Sequence, residues 1–309
     1  MALILPAYTK LNLTLDVLGR RANGYHEIDS VMQTISLHDL IWIESTDCRV
    51  FDVVGGPIEG ENLVLKAARE LEGRLGRALP FTIRLFKRIP IGAGLGGGSS
   101  DAAAFLNAAN QLYGLKLKWS ELVEIATEIG QDVPFFLRGG TAHATGLGST
   151  VAPLPPVPSS WRFLVVCPPV QISTREVYDA VDGTLASAAR TPKLVEMLTT
   201  PSPETPQTLA SHVPRGSRGP AGPPTRGRER EFGKEALGND FEPVTRRLFP
   251  AFDEAIERVR KVVPGITMSG TGAALFGVFE TRREAGAALT QVRKMGYPTF
   301  LCHPVPALT

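Results

Sequence analysis

The stretch Lys87–Leu106, KRIPIGAGLGGGSSDAAAFL, decides how the rest of this 309-residue chain is read. Five of the seven residues from Gly92 to Gly98 are glycine, and Ser99, Ser100, Asp101 and a run of alanines follow. Glycine loses more freedom on folding than any other residue, so a loop this rich in it needs a reason. Gly92-x-Gly94-x-x-Gly97 meets the dinucleotide-binding spacing literally. That motif also requires an acidic residue ending the next strand about 20 residues on. Here Trp119, Ser120 and Glu121 occupy that place and open a helix. A P-loop is excluded, because no Gly-Lys-Ser/Thr follows the glycines. What remains is an anion cradle. Bare main chain through Pro90, Ile91, Gly92, Ala93, Gly94, Leu95, Gly96, Gly97 and Gly98 lets successive N–H groups point at a phosphate. A helix starting near Ser99 adds its positive end, and the hydroxyls of Ser99 and Ser100 suit a phosphate or Mg²⁺, with Ser100 as the candidate metal ligand. Asp101 reads as a first-turn residue favoured by the helix dipole.

Outward from the loop, FTIRLFKRI reads as a strand stopped by Pro90. DAAAFLNAANQLYG reads as a helix with Phe105, Ala109 and Leu112 on one face, ended by Gly114. SELVEIATEIG is a second helix, with Ser120 as N-cap and Gly130 as its stop. Near the amino terminus, KLNLTLDVLG alternates Leu11, Leu13, Leu15 and Val17 with Lys10, Asn12, Thr14 and Asp16. That period of two predicts an apolar face inward and a polar face outward. Asn23-Gly24 signals the turn after it.

A Gly/Pro/Ser-rich run after residue 140 places a boundary near 157, giving domains 1–157 and 158–309. The second half offers strands in RFLVVCPP, AALFGVF and PTFLCHPV, and a helix in TRREAGAALTQVRKMG opened by a Thr281–Glu284 capping box. Their alternation predicts an α+β second domain. Thr199–Arg230 is dominated by Pro, Gly, Ser, Thr and Arg and is expected to be a disordered insertion.

Composition narrows the class. The net charge is +2, yet six basic and two acidic residues between Arg215 and Lys234 leave the remainder net negative, so no basic face for nucleic acid is expected. Cys48, Cys167 and Cys302 are scattered, which suits a reducing cytoplasm. No Cys-x-x-Cys or His-Glu-x-x-His spacing supports zinc. No apolar run nears the roughly 18 residues of a membrane span, and MALILPAYTK lacks a secretory signal's basic lead. A cytoplasmic protein without membrane, nucleic-acid or obligate protein partners is expected.

PIGAGLGGGSSDAA resembles the glycine motif of the GHMP kinases. KLNLTLDVLGRRANGYHEI, DVPFF and MSGTGAALF resemble that family's other motifs, in the family's order. The resemblance covers nearly the whole chain except the 199–230 insertion. It implies an α+β two-domain fold, with an amino-terminal half like ribosomal protein S5 and a ferredoxin-like carboxy-terminal half. It also implies ATP and Mg²⁺ as cofactors, and transfer of the γ-phosphoryl group to the 2-hydroxyl of a cytidine-diphosphate-linked methylerythritol. Asp132 is then the general base and Lys10 its cationic neighbour. Asn12, Tyr25, His26, Tyr178, Ser269, Gly270 and Thr271 are implied at the acceptor, with Tyr25, His26 and Tyr178 around the cytosine, and Asn62 near the adenine. Residue by residue, Asp132 alone also reads as a helix cap, Lys10 as a solvated lysine and Tyr178 as core. Other small alcohols, such as homoserine or mevalonate, or an inactive binding protein on the same scaffold, are the competing readings. Thr9 departs from the family, where alanine is usual before the lysine.

Overall fold

The computed structural model describes residues 2–22, 24–55, 61–181, 189–200 and 236–308. From residue 201 to 230 the expected insertion lies outside them, as does Asn23 of the expected turn. Strand β1 (Ala2–Arg20) runs antiparallel to β2 (His26–Ser45) along their full lengths. Gly24, at φ +85°, turns between them, its N–H donating to Arg21 O. β3 (Val50–Val54) pairs with β4 (Phe81–Phe86), and β4 pairs with the second half of β2. β5 (Thr141–Gly146) pairs with the first half of β2 and with β6 (Thr150–Pro153). One later segment, β8 (Gly238–Asn239), joins this sheet beside β1. The second sheet contains β7 (Arg162–Val166), β9 (Thr267–Met268), β10 (Leu275–Phe279) and β11 (Thr299–Cys302), in the order β11-β7-β10-β9.

Helices α1 (Leu63–Leu75), α2 (Gly97–Leu112), α3 (Trp119–Ile129) and α4 (Val133–Phe136) serve the first sheet. α1, α2 and α3 press Ala67, Leu71, Phe105 and Ile125 onto Ile41, Ile43, Phe81 and Ile83. α5 (Thr174–Asp179), α6 (Arg190–Thr199), α7 (Glu242–Leu248) and α8 (Pro250–Arg260) fall between β7 and β9, and α9 (Arg282–Arg293) falls between β10 and β11. Those insertions aside, the second sheet follows the β-α-β-β-α-β plan of ferredoxin-like folds. The fold is α+β. A shared core joins the halves: Leu11, Leu13 and Ile35 from the first sheet meet Phe163, Val165 and Phe276 from the second, with Ile89 and Leu95 of the glycine loop between them. Burying such side chains contributes about 1.5–3 kcal/mol each.

Several expectations are corrected. The apolar face of β1 is buried, but its polar face is not outward: Lys10, Asn12, Thr14 and Asp16 are buried too. α6 covers part of that face, since Thr191 donates through Oγ1 to Thr14 Oγ1 (2.8 Å) and through N–H to Asp16 Oδ2 (2.8 Å). β4 ends at Phe86, short of Pro90. α3 begins at Trp119 with Lys118 as its N-cap, so Ser120 lies inside the helix. α2 begins at Gly97, two residues before Ser99. The expected strands missed β2, whose Asp29, Ser30, Gln33, Thr34 and Asp39 hide its apolar alternation.

Candidate active site

A cleft of about 840 Å³ opens between the two halves. Gly94, Gly96 and Ser99 line one wall; Tyr25, His26 and Tyr178 line the other; Lys10, Asn12 and Asp132 lie between. At the glycine wall α2 begins directly from the loop, capped by Gly96 in the left-handed region (φ +70°) without a side-chain hydrogen bond. The first amides of a helix have no intrahelical acceptor, so this end is suited to an anion.

Lys10 Nζ lies 3.5 Å from Asp132 Oδ2 and donates to Asn12 Oδ1 at 2.6 Å. Asn12 Nδ2 donates to Ser30 Oγ (2.8 Å), which donates to Thr14 O (2.6 Å). The amide of Asn12 is thereby oriented with its oxygen toward the lysine. Asp132 precedes α4 but makes no side-chain cap with it, so its carboxylate, 30% exposed, is available to the cleft. A Cβ on Gly96 would lie 3.5 Å from Asp132 Oδ2, which fixes the acid directly above the glycine loop.

On the opposite wall, the His26 and Tyr178 rings are tilted with centroids 5.7 Å apart, and Tyr178 packs on Phe241 at 4.6 Å. Burial and Arg20 hold the His26 imidazole below its usual pKa, with Asp179 opposing. The ring is therefore neutral at pH 7, able to donate from one nitrogen and accept at the other. Burial, with Asp132 nearby, pushes the Tyr178 hydroxyl up, so it is a protonated donor. Tyr178 is both a partly buried packing residue and part of the cleft wall.

Residues 62–140 match the GHMP kinases N terminal domain, and residues 225–298 match the GHMP kinases C terminal domain. A 4-diphosphocytidyl-2-C-methyl-D-erythritol kinase of Caldicellulosiruptor saccharolyticus is 36% identical over 94% of this chain and 93% of its own. The chain belongs to the GHMP kinase family. The kinase of the same name from Heliobacterium modesticaldum is 37% identical over 94% of this chain and 91% of its own. A crystal structure of 4-(cytidine 5'-diphospho)-2C-methyl-D-erythritol kinase superposes with a TM-score of 0.74 at 31% identity, covering 98% of this chain and 99% of that one. A homoserine kinase from Cytophaga hutchinsonii shares the fold at 18% identity, with a TM-score of 0.64 over 97% of this chain and 95% of its own.

Within this GHMP kinase, the structure places four of the sequence-derived residues as follows. Ser100 does not face the cleft: it is buried, its Oγ donates to Tyr8 O at 2.6 Å, and it lines a separate cavity of about 40 Å³. Ser99 is the loop hydroxyl on the cleft side. Asn62 caps α1, its Oδ1 accepting from Val64 N–H (2.8 Å), and is not part of the cleft lining. Ser269 is fully buried; its Oγ accepts the Asn12 N–H at 3.1 Å, so it supports the β1 backbone, while Gly270 and Thr271 reach the cleft. Asp101 lies beyond the first turn of α2, which begins at Gly97, and is buried and paired with Lys87 at 2.7 Å.

Sequence reasoning also passed over Asn239-Asp240-Phe241. Asn239 Nδ2 donates to Met268 O (3.0 Å) and Gly270 O (2.7 Å), and its Oδ1 accepts from Phe241 N–H (2.9 Å). Asp240 takes Val17 N–H (3.0 Å) and Arg190 Nη1 (2.6 Å). Three consecutive residues thus hold the 270–271 turn, the end of β1 and the backing of Tyr178. A buried-looking Asn-Asp pair beside a Gly/Pro-rich stretch was the available signal. Thr9, the family departure, donates its hydroxyl to Leu95 O, tying β1 to the glycine loop.

Proposed function

We propose that this GHMP kinase transfers the γ-phosphoryl group of ATP to the 2-hydroxyl of 4-diphosphocytidyl-2-C-methyl-D-erythritol, in the non-mevalonate route to isoprenoid precursors. The observation carrying the chemistry is the Lys10–Asp132 pair, 3.5 Å apart above Gly96 at the start of α2. The α2 amides and the glycine loop bind the β- and γ-phosphates. Asp132 accepts the proton of the acceptor hydroxyl as that oxygen attacks phosphorus. Lys10 pairs with Asp132 and stabilises the negative charge that develops between oxygen and phosphorus. Asn12 holds Lys10 in place and faces the acceptor. Ser99, the loop hydroxyl on the cleft side, would face a Mg²⁺ carried by the nucleotide phosphates, and the ion would supply neutralisation of phosphate charge.

The acceptor assignment draws on the opposite wall. Tyr25 and the His26–Tyr178 pair offer stacking faces and a neutral imidazole for a base edge. Homoserine and mevalonate have no base to use them. The test is coupled turnover with ATP and Mg²⁺ on the cytidyl substrate, homoserine and mevalonate in parallel. Phosphorylation of the cytidyl substrate alone is expected. Comparable kcat/KM on either small alcohol would overturn the acceptor assignment, and no turnover of any would revive the inactive binding protein.

A further inference from the structure

Lys87, immediately before the glycine loop, and Asp101, immediately after it, form an ion pair across the loop's base at 2.7 Å. Asp39, from β2, completes a buried cluster: its Oδ2 takes Lys87 Nζ at 2.5 Å, and its Oδ1 takes the N–H groups of Arg88 and Ile89 (2.8 Å for the latter). The three side chains are 0–6% exposed. Both ends of residues 88–100 are therefore tied to one charged knot, the entry by main-chain amides and the exit by the Asp101 carboxylate.

We propose that Lys87, Asp39 and Asp101 form a clamp that holds the glycine loop in its phosphate-receiving shape, making Asp101 a positioning residue for ATP. Gly97 supports this placement, since a Cβ there would sit 3.1 Å from Ile89 Cγ2 and 3.4 Å from Lys87 Nζ. That glycine leaves room for the clamp as well as for a ligand. Stability is a weak explanation for the cluster. Burial is the largest influence on Asp101 and pushes its carboxyl up to about 7 despite Lys87, and Asp101 Oδ1 has no hydrogen-bond partner among the described residues. Buried ion pairs of this kind are often neutral or unfavourable relative to uncharged replacements, whereas fixing a loop in its binding shape lowers the ordering cost of the ligand.

The inference depends on the loop being the ATP phosphate site, and the test separates the two. Asp101→Ala removes the strut, and Asp101→Asn keeps an acceptor for Lys87. Each is measured for KM of ATP, KM of the cytidyl acceptor and melting temperature, alongside calorimetric titration of the wild type and both variants with a non-hydrolysable ATP analogue. The expected result is graded: ATP KM rises about tenfold for Ala and about threefold for Asn, with the acceptor KM within about twofold. The Asn variant should melt within about 2 °C of the wild type. An unchanged ATP KM in a folded Ala variant, or both KM values rising in step, overturns the clamp. If Ala does not fold, an unchanged ATP KM in the Asn variant does so. A wild type that fails to bind the analogue removes the reading of the loop, and the clamp with it; analogue bound equally by all three proteins removes the clamp alone.

Discussion

The two walls of the cleft are made in opposite ways. The glycine wall is main chain packed on main chain: a Cβ on Gly94 would meet Gly272 O at 2.5 Å and Ser269 O at 2.9 Å, and one on Gly270 would meet Gly94 O at 3.0 Å. The acceptor wall is side chains from separate elements, His26 from the β1–β2 hairpin and Tyr178 from α5, with Tyr25 65% exposed. A wall of main chain with free amides suits any anion. A wall of side chains can be tuned to one acceptor without disturbing the other. Asp132 and Lys10 sit at the seam.

The largest effect is expected at that seam. Asp132→Asn should lower kcat by about 10²–10⁴-fold while both KM values stay within about threefold; a loss in kcat below threefold would remove Asp132 from proton transfer. Next comes a contrast inside the glycine wall. Gly94 and Gly92 share φ +73°, but nothing lies within 4 Å of a Cβ on Gly92. Gly94→Ala should cost about 3–5 kcal/mol in urea unfolding, through backbone clash and strain, and Gly92→Ala about 1–2 kcal/mol, through strain alone. Equal losses would show that the close approach to residues 269–272 is not what requires Gly94.

The acceptor wall should respond separately. Tyr25→Ala is expected to raise the acceptor KM about tenfold, the scale of one lost base stack, with the ATP KM unmoved. An unmoved acceptor KM would favour a small alcohol. For His26 the sign follows from a pKa held below 6.5. The unfolded imidazole takes its proton first as pH falls, so this residue's contribution to stability declines below 6.5. The acceptor KM should be flat from pH 7 to 8 and rise on the acid side, and His26→Gln should abolish that rise; a change between pH 7 and 8 that His26→Gln abolishes would show the ring charging there. The smallest effect is at Thr9→Ala, which removes one buried hydrogen bond to Leu95 and should cost about 1 kcal/mol, read as a drop of about 2 °C in melting temperature.

The glycine loop, the alternation in β1 and the α2 helix were legible because each is set by local chemistry: backbone freedom, a period of two and alanine-rich helix propensity; Asp132 stood out only through the family resemblance. Less was legible where one residue type serves two purposes. Ser99 and Ser100 are equivalent in sequence, and only the helical rotation of α2 sends one to the cleft and the other to Tyr8 O. Asn62 and Ser269 match functional positions in a motif, yet a local hydrogen bond from Val64 N–H and a long-range one from Asn12 N–H occupy their oxygens.

By itself the sequence determined the α+β class and the glycine-rich loop that leads into α2, and its family resemblance singled out Lys10 and Asp132. Tertiary structure alone decided that Lys10 and Asp132 meet above Gly96, that Asp39, Lys87 and Asp101 close the base of the loop, and that Asn239 steadies Gly270 from a segment after residue 235. The division follows from range. Steric freedom and periodicity act between neighbours and can be read along the chain, whereas a buried charge or amide is fixed by whichever distant partner the packed core brings within hydrogen-bonding distance.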